Sequence, residues 1–107
     1  MPETVLVVED DPDVRDVMVA VVENEGHTAV PAESGDEALR LLRSGLQPCL
    51  ILLDGTIPAN GGGDFHTEQR ADPKLATIPT IVVSEPFNLD QLSRLLKRHC
   101  MNNHRVA

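Results

Sequence analysis

The 107-residue sequence has little aromatic and little basic character. It contains no Trp, no Tyr and only two Phe, so its core must be built mainly from aliphatic side chains. Lys and Arg together number 9 against 17 Asp and Glu, which gives a formal net charge of −8. Because nucleic-acid binding calls for basic patches, this charge balance excludes nucleic acid from the expected partners.

Long hydrophobic runs are also absent. No apolar stretch approaches the roughly 18 residues of a membrane span, and residues 1–4 lack the basic start of a signal peptide. We therefore expect no membrane association and a cytoplasmic location. The two cysteines, Cys49 and Cys100, lack metal-ligand spacing. In that compartment we expect both to be reduced thiols.

The apolar residues that are present predict alternating strands and helices. The predicted strands are residues 4–8, 27–32, 49–54 and 80–84, and the predicted helices begin after Pro12, at Ser34, near Asp64 and near Asn88. Residues 72–79 are interpreted as a connector. Continuous apolar runs at 5–8 and 50–53 favour central parallel strands that are covered on both faces. The alternation predicts one α/β domain over residues 1–107, with a parallel sheet and right-handed crossovers.

Acidic residues follow both apolar runs. Asp54 closes the run at 50–53, and Glu9, Asp10 and Asp11 follow the run at 5–8. Open α/β sheets place their ligand sites at the carboxyl ends of central strands. If the two strands are neighbours, the carboxylates converge, and like charges that close require a cation. The four histidines are scattered, so we interpret them as surface or edge residues rather than ligands.

The order and spacing of these motifs resemble the receiver domain of two-component response regulators, over nearly the whole chain. The resemblance rests on residues 7–11 and 52–54, on Pro58 and Gly62 in the following loop, on residues 78–79 and Ser84, and on residues 86–90. It implies a flavodoxin-like, three-layer sandwich. It also implies a signalling protein rather than an enzyme. The chemistry of such a protein is at most its self-catalysed phosphorylation and dephosphorylation.

The resemblance implies a role for each matching residue. Asp54 accepts a phosphoryl group from a sensor histidine kinase or a phosphotransfer protein. Mg²⁺ is held by Asp54, by Asp10 directly, by Glu9 through water and by the backbone carbonyl of Thr56. The hydroxyl of Ser84 contacts the phosphoryl group. Aspartyl attack on phosphorus beside a charge-neutralising Mg²⁺ is sound phosphoryl-transfer chemistry.

The sequence departs from the family pattern after Ser84. Receiver domains place a fourth helix and a fifth strand between this hydroxyl and a Lys-Pro dipeptide, whereas Glu85, Pro86 and Phe87 alone separate Ser84 from Asn88. A parallel crossover needs a dozen or more residues. We therefore predict a truncated sheet of four strands, ordered 2-1-3-4. Glu85 stands at the usual lysine position, where its carboxylate either repels a phosphoryl group or points away.

The truncation also bears on assembly and function. An apolar, uncharged fourth strand at the sheet edge favours a homodimer through this strand and the last helix, by direct contact or by exchange of that helix. We interpret the protein as a stand-alone receiver with no output domain. The alternative is a phosphorylation-independent interaction module, or a phosphate sink, with a degenerate switch. A phosphatase of similar topology is disfavoured, because Thr56 rather than a second carboxylate follows Asp54 by two residues.

Overall fold

The structure is a computed structural model that describes residues 3–55, 63–83 and 88–100. Its strands are β1 (Thr4–Val8), β2 (Thr28–Ala32), β3 (Leu50–Asp54) and β4 (Thr80–Val83). Its helices are α1 (Pro12–Asn24), α2 (Gly35–Arg43), α3 (Gly63–Ala71), α4 (Pro73–Ala76) and α5 (Leu89–Cys100). Among the described helices, none combines the length and the apolar character that crossing a bilayer requires.

The four strands form one parallel sheet in the order β2-β1-β3-β4. This confirms the predicted truncated sheet, with β1 and β3 at its centre. All five residues of β3 are buried, as are residues 5–8 of β1. Continuous apolar runs produce this pattern because both faces of a central parallel strand are covered by helices.

Two apolar cores cover the two faces of the sheet, which confirms the three-layer sandwich. One core joins alternate residues of β1 and β3 to α2, α3 and α4, and its buried members include Leu6, Val8, Ala38, Leu42, Ile51, Leu53, Phe65 and Leu75. The other core joins the intervening residues to α1 and α5, and its buried members include Val5, Val7, Met18, Val22, Leu50, Leu52, Leu92 and Leu96.

The start of α2 shows how its polar residues fix a helix boundary. The Ser34 hydroxyl accepts a hydrogen bond from the backbone N–H of Glu37, at 3.1 Å. The carboxylate of Glu37 accepts in turn from the N–H of Glu33, at 2.7 Å. A capping box would direct this second bond to residue 34 itself. The sequence pattern therefore locates the helix start correctly. The carboxylate of Glu37, however, binds the N–H of residue 33 instead of that of residue 34.

The connector over residues 72–79 contains a helix that the sequence pattern did not predict. Asp72 caps α4 by accepting from the N–H of Lys74, at 3.0 Å. Pro73 occupies the first helical position, where its missing N–H costs no hydrogen bond. These two residues suffice for one turn of helix, which is too short to show an apolar periodicity in the sequence.

Gln69 holds this connector against the sheet from a buried position on α3. Its side-chain nitrogen donates to the carbonyls of Leu75 and Ile78, at 3.1 Å each. Its side-chain oxygen accepts from the hydroxyl of Thr80, at 3.1 Å. One amide side chain therefore ties α3, the end of the connector and the start of β4 together.

The cysteine prediction was wrong, because Cys49 and Cys100 form a disulfide. Cys49 immediately precedes β3, and Cys100 is the last residue of α5. The packing of α5 onto this face of the sheet brings the two Cα atoms to 5.7 Å, within the range that a disulfide spans. The pair is separated by 51 residues, so only the tertiary packing shows that they meet.

The surface or edge position expected for histidine is wrong for His27. This residue precedes β2 and is only 7% exposed. Neither ring nitrogen has a hydrogen-bond partner among the described residues. Its backbone N–H donates to the carbonyl of Val22, at 3.2 Å, so the turn that links α1 to β2 fixes the buried position of the ring.

We predict that Gln69→Met destabilises the protein by about 2–3 kcal/mol. Methionine has a similar length but makes none of the three hydrogen bonds of Gln69, and each intramolecular hydrogen bond contributes roughly 0.5–1.5 kcal/mol to stability. Urea unfolding measures this free energy. Gln91→Met is the matched control at an exposed position of α5, and it should change the free energy by less than about 0.5 kcal/mol. Equal effects of the two variants would refute the anchoring role of Gln69.

Candidate metal centre

The register between β1 and β3 brings two acidic residues to the same edge of the sheet. Val8 lies opposite Leu53 in the parallel ladder, so the next residue of each strand, Glu9 or Asp54, emerges at the carboxyl end. The N–H of Glu9 donates to the carbonyl of Ala32 on β2, at 3.0 Å. This bond extends the ladder by one residue and fixes the backbone of Glu9.

The backbone beyond Asp54 is fixed in the same way on the other side. The N–H of Gly55 donates to the carbonyl of Val83 on β4, at 2.8 Å. Asp54 itself lies opposite Val83 in the ladder between β3 and β4. Its position is therefore set by strand pairing on rigid elements, which holds a reactive group more accurately than a loop does.

Three carboxylates meet at this edge and form what we call the acidic cluster: Glu9, Asp10 and Asp54. One oxygen of each lies within 4.8 Å of the others. Glu9 is 3% exposed and Asp54 is 4% exposed, whereas Asp10 is open to solvent. The cluster is therefore a pair of buried acids with one accessible acid at its mouth. Oxygen ligands of this kind are those that Mg²⁺ takes from proteins, usually one or two carboxylates with waters and phosphate oxygens.

Asp11 lies beside the acidic cluster but serves the helix. Its carboxylate caps α1 by accepting from the N–H groups of Asp13, at 2.9 Å, and Val14, at 3.3 Å. The N–H of Asp11 donates to the carboxylate of Glu9, at 3.1 Å. The turn at residues 9–11 thus joins the cluster directly to the start of α1.

Arg15 is a further residue of this edge that the sequence reasoning missed. Its guanidinium donates to the backbone carbonyl of Glu9, at 2.8 Å. The contact places a cation one helical turn beyond the cap of α1 and next to the acidic turn. A side chain that binds a backbone carbonyl leaves no residue-type pattern to detect. Only its spacing from the acidic turn, six residues after Glu9, could have suggested the contact.

The electrostatics of the acidic cluster are dominated by Glu9. Burial raises the pKa of Glu9 from its ordinary value of 4.5 to about 7. Repulsion from Asp54 and hydrogen bonds with Asp10 and Asp54 contribute to the same rise, whereas the N–H of Asp11 opposes it. Near neutral pH, Glu9 therefore binds a proton readily, and this proton reduces the repulsion within the cluster. A divalent cation relieves the same repulsion, so these residues fit Mg²⁺.

The remaining predicted site residues are outside the described residues. They are Thr56, Ser84 and Glu85. The part of the site that the structure describes consists of the acidic cluster, the cap at Asp11 and the guanidinium of Arg15. It lies at the carboxyl ends of β1 and β3, where open α/β sheets bind ligands.

Comparison with known proteins identifies the family. The sequence profile of the response regulator receiver domain matches residues 5–102. This chain belongs to the receiver-domain family of two-component signalling. Members of this family are signalling phosphoacceptors that act with histidine kinases or phosphotransfer proteins.

Two relatives show the extent of the sequence likeness. Protein Rrf1 of Nitratidesulfovibrio vulgaris is 27% identical over 90 residues, which cover 84% of this chain and 64% of Rrf1. An uncharacterized 14.6 kDa protein of Leptolyngbya boryana is 38% identical over 80 residues, covering 75% of this chain and 60% of that protein. The receiver domain thus aligns with less than two thirds of the length of either relative.

A solved structure shows the same fold. The receiver domain of a sensor histidine kinase from Pseudomonas aeruginosa superimposes with a TM-score of 0.81 at 22% sequence identity, covering 92% of this chain and 98% of that domain. That domain has a magnesium ion coordinated in its active-site cleft. At this level of identity the likeness shows the flavodoxin-like receiver fold.

We predict that Glu9 makes the metal-free receiver less stable as the pH rises. Its pKa is higher in the folded state than in the unfolded chain, so the folded state binds more protons between about pH 4.5 and pH 7. Stability is then fully present below this window and falls as the pH rises through it. Glu9→Gln should remove the fall and raise the free energy of unfolding at pH 8 by about 1–3 kcal/mol.

Urea unfolding at pH 5 and pH 8 in the presence of a chelator measures this effect. Glu23→Gln makes the same charge change at an exposed position of α1 and should leave the pH dependence unaltered. If Glu9→Gln keeps the pH slope of the wild type, Glu9 does not titrate in this window.

Proposed function

We propose that this chain is a stand-alone cytoplasmic response regulator in which Asp54 accepts a phosphoryl group. In this proposal the receiver domain, matched over residues 5–102, signals through protein–protein contacts. The donor is a phosphohistidine on a sensor histidine kinase or on a phosphotransfer protein. The observation that carries the proposal is the convergence of Glu9, Asp10 and Asp54 within 4.8 Å at the carboxyl edge of the sheet.

The chemistry assigns a distinct task to each acid. An oxygen of Asp54 attacks phosphorus, the bond from phosphorus to the donor imidazole breaks, and the imidazole leaves with the electron pair. Asp10 and Glu9 hold Mg²⁺ together with Asp54, and the proposed set is completed by the carbonyl of Thr56. When bound, Mg²⁺ neutralises the charge on the phosphoryl oxygens. Hydrolysis of the aspartyl phosphate restores the free carboxylate.

The burial of Asp54 supports the role of nucleophile. A carboxylate that is 4% exposed keeps few waters that must be displaced before attack, and the pairing of β3 with its neighbours limits its movement. The exposure of Asp10 supports a different task, because a metal ion must enter from solvent. In the proposal, the Ser84 hydroxyl contacts the transferred group.

The alternative function rests on Glu85. A carboxylate at the position of the family lysine removes a cation that would face the phosphoryl group, so phosphorylation has less influence on the rest of the domain. On this alternative the chain is a phosphorylation-independent interaction module, or a phosphate sink. Accepting phosphate without a change in partner affinity would support the sink.

We predict that a small phosphodonor such as phosphoramidate phosphorylates the wild type only when Mg²⁺ is present. The increase in intact mass by one phosphoryl group measures the reaction. Asp54→Asn should abolish it, because an amide is not a nucleophile toward phosphorus. Asp10→Asn should slow the reaction at least about tenfold, because it removes a charged ligand of Mg²⁺. A tenfold loss of rate corresponds to only about 1.4 kcal/mol of lost transition-state stabilisation.

Asp13→Asn is the matched control, since it removes an equal charge from an exposed residue of the same segment. It should retain the wild-type rate. Phosphorylation of Asp54→Asn at the wild-type rate would overturn the choice of acceptor. An equal loss in the variants at residues 10 and 13 would show that the metal site is misplaced.

We also propose that the receiver is a homodimer through β4 and α5. Strand β4 pairs with β3 on one side, and within the described residues no strand pairs with its other edge. Val82 on this edge is 49% exposed, and Leu89 at the start of α5 is 50% exposed. An apolar edge strand without a partner favours pairing with a second chain.

We predict that Val82→Lys weakens the dimer at least about tenfold, because a charge at a packed edge disfavours pairing. Light scattering over a dilution series measures the dissociation constant. Val17→Lys is the control, since Val17 is 45% exposed on α1, away from β4, and the dimer should be unaffected. A wild type that stays monomeric at every concentration would refute the proposal.

A further inference from the structure

The disulfide between Cys49 and Cys100 joins two elements that are distant in the sequence. Cys49 lies at the residue before β3 and is partly exposed, whereas Cys100 ends α5 and is fully buried. The crosslink encloses β3, α3, α4, β4 and α5 in one covalent loop. It thereby ties the last described helix to the central strand that carries Asp54.

Several contacts within the described residues hold the start and the middle of α5. The side-chain oxygen of Asn88 accepts from the N–H groups of Asp90, at 2.7 Å, and Gln91, at 3.3 Å. The hydroxyl of Ser93 donates to the carboxylate of Glu25, at 2.8 Å. Leu92 and Leu96 pack into the core on the side of α1. At its C-terminal end the helix is attached covalently through the link to Cys49.

We propose that Cys49 and Cys100 form a reversible redox site that controls the docking of the C-terminal end of α5. The oxidised form holds α5 against β3. The reduced form leaves this end of the helix to non-covalent packing alone. The proposal is independent of phosphoryl chemistry and adds a second input to the domain.

The reaction is thiol–disulfide exchange with a low-molecular-weight thiol such as glutathione. The incoming thiolate attacks the sulfur of Cys49, which belongs to the partly exposed residue of the pair, and Cys100 leaves as a thiolate that takes a proton. A second thiol attacks the mixed disulfide and releases Cys49. Two small thiols are oxidised to one disulfide while the protein disulfide is reduced to two thiols. Glutathione disulfide reverses the reaction.

The surroundings accommodate both oxidation states. The sulfur of Cys49 lies 3.3 Å from the carbonyl oxygen of Thr4, so the reduced thiol has a hydrogen-bond acceptor in place. Cys100 belongs to the apolar core between β3 and α5, where a free thiol behaves as a small hydrophobic side chain. Disulfides of cytosolic proteins are usually transient or redox-sensing, which suits a link that both states tolerate.

The redox site lies at the opposite end of β3 from the acidic cluster. Asp54 lies five positions after Cys49, which corresponds to about 16 Å along a strand. Reduction should therefore alter α5 without rearranging Glu9, Asp10 and Asp54. This separation allows the redox proposal and the phosphoacceptor proposal to fail independently.

The test compares the oxidised and reduced full chain after equilibration in glutathione buffers of graded thiol-to-disulfide ratio. Alkylation and intact mass measure the fraction of disulfide, and hydrogen exchange measures the protection of α5. We expect reversible titration of the disulfide. Reduction should speed exchange in the last turn of α5 at least about tenfold, leave α2 unchanged and lower the melting temperature by about 10 °C or more.

Cys49→Ala is the matched variant, because it removes the partly exposed partner and keeps Cys100 in the core. It should show the loosened α5 under all buffers and no response to glutathione, while phosphorylation at Asp54 stays at the wild-type rate. Cys100→Ala tests the same link from its other side. The proposal is overturned if no disulfide forms in any buffer, or if oxidised and reduced protein have equal exchange rates in α5.

Discussion

The parallel pairing of β1 with β3 is the interaction on which the remaining structure depends. It buries two adjacent apolar runs on both faces and provides surfaces for helices on either side. The same register, with Val8 opposite Leu53, directs the chain into Glu9 and Asp54 at one edge. A shift by one residue would exchange the two faces of a strand. It would also separate the two acids. The same strand register therefore produces both the buried core and the acidic cluster.

This coupling explains how a small domain tolerates two buried acids. Eight residues of β1 and β3 have no exposed surface: Val5, Leu6, Val7, Val8, Leu50, Ile51, Leu52 and Leu53. Full burial of such a side chain stabilises a protein by roughly 1.5–3 kcal/mol. The rise of the Glu9 pKa to about 7 corresponds to about 3 kcal/mol at most. The electrostatic cost is therefore comparable to one or two of the eight buried side chains.

The sequence predicted the features that depend on local pattern, and it missed those that depend on distant packing. The existence of the strands followed from the apolar runs, and their order from the resemblance to receiver domains together with the short link before Asn88. The approach of Glu9 to Asp54 followed from where those runs end. The burial of Gln69 depends on partners 6–11 residues further along the chain. The disulfide depends on a contact across 51 residues, and neither leaves a periodic signal.

The strand order also determines when the sheet can form during synthesis. Strand β1 is central, but its second neighbour, β3, begins 42 residues after β1 ends, since β1 closes at Val8 and β3 opens at Leu50. A nascent chain that contains β1, α1, β2 and α2 therefore carries an apolar strand edge that has not yet found its partner. Contacts over such distances make folding slower and leave the chain open to misassociation. The centre of the sheet closes only when residues 50–54 leave the ribosome, and the same event brings Asp54 to Glu9 and Asp10.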